Sequence, residues 1–147
     1  MKYLCINLTP HEITIYHEEG VLKIPPSGHV ARVITANTEA APVTIRNDSK
    51  NVKIPTVKRE PKGLDLPPPD KFINNPKGVA SVTLLVSAMV GEYIAQHGLP
   101  AQWIDLLREG VVVTVAAPDT GPDSVVRDEN GRIIGVRRLV VFTRLPE

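Results

Sequence analysis

With a single cysteine, Cys5, the chain can form neither an intrachain disulfide nor a multi-cysteine zinc site. Aromatic side chains are nearly as scarce, at three Tyr, two Phe and one Trp in 147 residues, too few to line up stacking platforms for single-stranded nucleic acid. Neither sign of charge dominates: 17 Lys and Arg face 16 Asp and Glu. The overall field therefore recruits neither nucleic acid nor an anionic membrane, and any anion site has to be local. No apolar run has the length of a signal peptide or a membrane span, which points to the cytosol. Gly-rich phosphate loops, HExxH, Cys pairs and GxSxG are all missing. With no catalytic, cofactor or metal constellation to read, binding is a better expectation than catalysis.

The residues present suit a folded protein. Apolar residues make up 42% and charged residues 22%, near the globular average, and the length matches one domain over 1–147. Cys5, inside the apolar run Tyr3 to Leu8, is expected to be a buried, inert thiol. From Tyr3 to about Asn47, β-branched runs between turns at Thr9-Pro10, Glu19-Gly20 and Pro25-Pro26-Ser27-Gly28 predict short strands in an antiparallel sheet. In the strand around Ile13, alternation sets Ile13 and Ile15 on one face and Thr14 and Tyr16 on the accessible other. Arg32 interrupts the apolar face of the next strand. Residues 50–77 carry six prolines, predicting an extended, polyproline-like segment without regular structure. Its lysines and arginines read as a solvated loop.

Further on, Val79 to Val86 reads as a strand, and Ser87 caps a helix over Ala88 to His97 that Gly98 closes, with Met89, Val90, Tyr93 and Ile94 facing the sheet. A short second helix begins near Pro100, carries Trp103 and stops at Gly110. Val111 to Ala116 is another strand. It leads into the stiff loop Pro118-Asp119-Thr120-Gly121-Pro122 and a hairpin that turns at Asn130-Gly131. The expected architecture is thus α+β: N-terminal strands and the C-terminal hairpin form an antiparallel sheet, one or two helices pack on it, and a long proline-rich loop runs outside.

Candidate chemistry is concentrated near the end of the chain. Arg127, Arg132, Arg137 and Arg138 crowd the hairpin, and guanidinium groups there can clamp a phosphate bidentately or pair with Asp119, Asp123, Asp128 or Glu129. The carboxylates could do acid–base work if brought close, but turn formation explains them more simply. His11 and His17, six residues apart on one strand, are too distant to share a metal.

Asn7-Leu8-Thr9-Pro10-His11, Pro25-Pro26-Ser27-Gly28-His29-Val30-Ala31-Arg32, Val86-Ser87, and Pro118-Asp119-Thr120-Gly121 through Gly131-Arg132-Ile133-Ile134-Gly135-Val136 together resemble a family of small phage and prophage proteins. Part of that family is similar to the phage anti-Thoeris sponges, which sequester cyclic ADP-ribose signals without cleaving them. The resemblance implies a homo-oligomer built from dimers, in the cytoplasm of the infected bacterial host. Its ligand would be a small cyclic nucleotide, with no DNA, RNA or membrane partner. Tyr16 and Arg32 would supply one half of the pocket; Asp119, Thr120, Arg127 and Arg137 would supply the other. The longer middle of this chain and the stretch around Trp103 depart from the family pattern. Two rival readings are a virion structural or decoration protein using a stiff proline-rich arm, and a hydrolase or lyase using Asp119, Asp128 or His11.

Overall fold

The computed structural model describes residues 1–147. In chain order the strands and helices are β1 (Lys2–Asn7), β2 (Ile13–His17), β3 (Gly20–Ile24), β4 (Arg32–Asn47), β5 (Lys50–Asp65), β6 (Val79–Leu85), α1 (Ala88–His97), α2 (Ala101–Ile104), β7 (Val112–Pro118), β8 (Val125–Arg127), β9 (Ile133–Val136) and β10 (Leu139–Leu145). Single 3-10 turns cover Pro69–Lys71 and Asp105–Glu109.

A four-stranded sheet in the order β1-β6-β7-β10 organises the core; β1, β6 and β7 run parallel, and β10 returns antiparallel to β7. The continuous apolar runs of β6 and β7 are central because parallel strands are covered on both faces. Val82, Leu84, Val113 and Val115 face Val90, Ile94, Trp103 and Leu106 on one side. On the other, Leu85 and Ala116 meet Ile13, with Ile15, Ile24 and Leu139 packed around them. Those partners come largely from a second sheet, β3-β2-β9-β8, in which β2 is antiparallel to β3 and parallel to β9. No helix is long and apolar enough to cross a membrane.

This topology overturns the expected single antiparallel sheet. The fold is α+β with two short helices, but β1 pairs with β6, more than seventy residues away, instead of with β2. Local turn chemistry identifies adjacent hairpins, whereas a parallel pair needs a long crossover that leaves no local mark. The C-terminal hairpin forms at Asp128–Gly131, where the Gly131 amide donates to the Asp128 carbonyl and Gly131 alone takes positive φ. The second strand of the hairpin ends at Val136, and at Arg137-Arg138 the chain leaves one sheet for the other. Buried Ser124 fixes that crossing: its Oγ accepts from the amides of Arg137 and Arg138, both at 3.2 Å.

A second correction concerns the prolines. Lys50 to Asp65 is not irregular chain but β5, paired with β4 over 16 residues each, in a two-stranded ribbon about 50 Å long. Pro55 and Pro61 are tolerated because both lie beside register shifts of the ribbon, where a missing N–H removes little of the ladder. The tip is the two-residue turn Asp48-Ser49 with φ of 46° and 70°, the primed geometry that matches strand twist. Pro67, Pro68, Pro69 and Pro76 do occupy the irregular stretch before β6.

Local readings of the helices hold more closely. The Ser87 hydroxyl accepts the Val90 amide at 3.3 Å, and Gly98 ends α1 with φ of 84°. Met89, expected on the sheet, is exposed, while Val90 and Ile94 are buried. Trp103 is fully buried, and its Nε1 donates to the Pro67 carbonyl at 3.0 Å, so the proline segment is stitched to the core. Cys5, expected to be buried, is exposed on edge strand β1. Partial desolvation of its sulfur still raises the thiol pKa, so the group stays protonated at neutral pH.

Candidate functional site at the carboxyl ends of the parallel strands

Strands β1, β6 and β7 all end at the same edge of the main sheet, and the segments that leave them line an open cavity of about 560 Å³. Val86, Ser87 and Ala88 form its floor at the start of α1; Thr9 and His11 to Thr14 form one wall and Ala117, Pro118 and Thr120 another. Ile133 to Val136 of β9 complete the lining. The carboxyl end of a parallel sheet is a favoured ligand position because strands stop there and helices begin.

Asn7 builds the first wall. Its side chain is buried, 1% exposed. Nδ2 donates to the His11 carbonyl at 2.8 Å and the Ile24 carbonyl at 3.0 Å, while Oδ1 accepts from the Thr9 amide at 3.0 Å and the Thr9 hydroxyl at 2.7 Å. All four bonding positions of the amide are filled, so the Leu8–His11 turn is closed on itself and tied to the end of β3. The motif beginning at Asn7 therefore has an architectural origin: it shapes the cavity edge. On the opposite side Gly135 is required by a close approach. A Cβ there would stand 2.8 Å from the Thr14 carbonyl oxygen and 2.6 Å from Cε2 of Tyr16.

A smaller groove of about 290 Å³ adjoins the cavity and shares Thr9 and Ser87 with it. Arg32, the first residue of β4, lines this groove and makes no ion pair. The first-turn amides of α1 point toward the same edge; Ser87 satisfies the Val90 amide, while Ala88 and Met89 have no intrahelical acceptor.

Of the residues singled out from sequence, Thr120 lines the cavity and Arg32 the adjoining groove. Tyr16 lines neither, its ring lying against Gly135. Asp119 is committed internally: Oδ2 accepts from Nε of Arg138 and Oδ1 from the Gly121 amide. The Arg138 bond first, and then the Gly121 amide, hold its carboxyl below the usual range, and the bond to Asp119 raises the Arg138 guanidinium. Arg127 donates to the Gly131 carbonyl at 2.7 Å and Arg137 to the Val125 carbonyl at 3.3 Å, both exposed on the outer hairpin. The structure thus separates the hairpin arginines from the cavity. Asp128 accepts the amides of Asn130 and Arg132, a turn role.

Thr9, Ser87 and the β9 backbone were missed as pocket residues. Ser87 gave a signal as a helix cap directly after a buried strand, the pattern that marks the carboxyl edge of a parallel sheet. No three His, Cys, Asp or Glu side chains converge as a metal centre would require. Compared with protein-family models, curated proteins and solved structures, the chain matches none.

Proposed function

We propose that the chain is a binding protein that captures a small anionic nucleotide in the cavity at the carboxyl ends of β1, β6 and β7, of the cyclic ADP-ribose type that its resemblance to phage sponges implies. The observation that carries this reading is a single edge combining a cavity of about 560 Å³, the start of α1 and an unpaired arginine in the adjoining groove. That volume lies in the range of small-molecule sites. Phosphate oxygens would meet the Ala88 and Met89 amides at the positive end of the helix, with Arg32 closing on them from the groove. The Thr120 hydroxyl would meet ribose, and Ile13, Ile133 and Ile134, which line the same cavity, would offer apolar surface to a base. Retention, not turnover, is the function, with the captured messenger withheld from a bacterial defence pathway.

Relative to the expectation from sequence, the ligand contacts move from the hairpin arginines to the strand ends. Calorimetry with cyclic ADP-ribose, followed by heat release and mass analysis of the ligand, tests the reading. Binding and unchanged recovery are expected, with Arg32→Ala weakening affinity about 10- to 100-fold through loss of a charge-assisted hydrogen bond. No heat with either cyclic or linear ADP-ribose nucleotides, or recovery of a converted product, would reject it.

A further inference from the structure

The β4–β5 ribbon is the largest feature that neither the core nor the cavity employs. Val33 and Leu64 at its base pack on the core, but beyond them the two strands hydrogen-bond only to each other. A two-stranded sheet alone in water is marginal, since neither face buries its side chains. The distal half is also patterned for contact. Val43 stands opposite Ile54 and Ile45 opposite Val52, so two cross-strand apolar pairs share one face, each side chain 40–52% exposed. Thr44, Arg46, Asn51 and Lys53 occupy the reverse face. Residues 32–65 hold seven Lys and Arg against four Asp and Glu, a charge of +3, whereas the whole chain carries +1 and the remainder therefore −2.

We propose that this ribbon is an exchange arm: its apolar face lies on the body of a second copy of the chain, whose own arm lies on the first. Two considerations favour a second copy over an unrelated partner. The arm as a whole is positive and the rest of the chain negative, an attraction that acts at longer range because Arg46 and Lys53 lie on the reverse face. The area argument is independent. Twelve residues of each strand, about 40 Å by 10 Å, bury about 400 Å² of arm and as much of the surface beneath. One arm alone then gives about 800 Å², the size of an incidental contact, whereas reciprocal exchange doubles this to about 1,600 Å², that of a stable interface. Two-fold symmetry makes every favourable contact count twice. A nucleic-acid groove would engage the cations but leave both apolar pairs in water.

Sedimentation and light scattering of the intact protein decide the matter. The wild-type chain should have twice the mass of one chain. Ile45→Glu with Ile54→Glu should raise the dimer dissociation constant about 100-fold or more while Trp103 fluorescence stays native, and the milder Val52→Asn should give a smaller shift in the same direction. Thr44→Glu, on the reverse face, should leave the dimer intact. A monomeric wild type, or a dimer indifferent to Ile45 and Ile54, would overturn the proposal. So would a monomer that binds duplex DNA and loses it on Arg46→Glu with Lys53→Glu. Ligand binding is a separate matter: a dimer that retains no nucleotide would uphold the arm and sink the function proposed above.

Discussion

Replacing Asn7 with Asp changes one NH2 group for an oxygen at the point where the cavity wall is tied to the sheet. In the wild type that NH2 donates to two carbonyls, of His11 and Ile24. A protonated Asp has one hydrogen to offer, leaving one buried carbonyl unpaired at a cost of about 1–3 kcal/mol. An ionised Asp offers none, and its charge would face both carbonyl oxygens in a site only 1% exposed. The Thr9 amide and hydroxyl still donate to the other oxygen, which limits the penalty without removing it. Burial and the facing carbonyls raise the folded-state pKa above the unfolded value of about 3.9, and each unit of that rise adds about 1.4 kcal/mol of destabilisation at neutral pH. The sign follows from linkage: the extra loss is absent below the unfolded pKa, grows as pH rises and levels off above the folded pKa. Urea titrations of wild type, Asn7→Asp and Asn7→Ala, followed by the fluorescence of buried Trp103, provide the assay. The Asp variant should fall further behind wild type between acid and neutral pH, while the Ala variant stays at a constant deficit of about 2–4 kcal/mol. A gap for Asn7→Asp that is flat with pH would refute the assignment of those donors.

Gly135→Ala should cost about 1–3 kcal/mol in urea unfolding, since one of the two close neighbours is the Thr14 backbone, which cannot swing away; an unchanged midpoint would show that the β2–β9 join has slack. Arg138→Ala should return the Asp119 carboxyl toward its ordinary pKa, read by carboxyl NMR titration. Because that pKa is lowered in the folded protein, the contribution of the pair to stability is present above the unfolded carboxyl pKa and fades as pH falls through the folded one. Ser49→Gly should stabilise the ribbon tip by about 0.5–1 kcal/mol, because φ of 70° is costly for serine and free for glycine; slower amide exchange at Asn47 and Lys50 would register it.

How far the chain could be read in advance depended on the range of the interactions involved. The Ser87 cap, the Gly98 and Gly110 stops and the Asp128–Gly131 turn depend on residues within a few positions of one another, and each forms where expected. The short second helix also forms near Pro100 and buries Trp103. The parallel alliance of β1 with β6 depends on contacts more than seventy residues apart, which no periodicity encodes. Pro55 and Pro61 mask the ribbon in the sequence because proline ordinarily breaks pairing, whereas two strands with free outer edges can absorb it at a bulge. Arginine density near the C-terminus drew attention to the hairpin, but side-chain type does not reveal which way a strand's outer surface faces; Arg127 and Arg137 are occupied by nearby carbonyls.

The smaller sheet consists of two hairpins, β2–β3 and β8–β9, that meet at one register pair, Ile15 opposite Val136. A cover joined along so short a seam behaves as two leaves rather than as one plate. Opening it would break few backbone bonds, the main resistance being the packing of Ile13, Ile15 and Ile24 on Leu85 and Ala116. Ile15 and Val136, the one register pair on that seam, would then set how readily the two leaves part, and Val136 carries that motion directly to the cavity wall it lines.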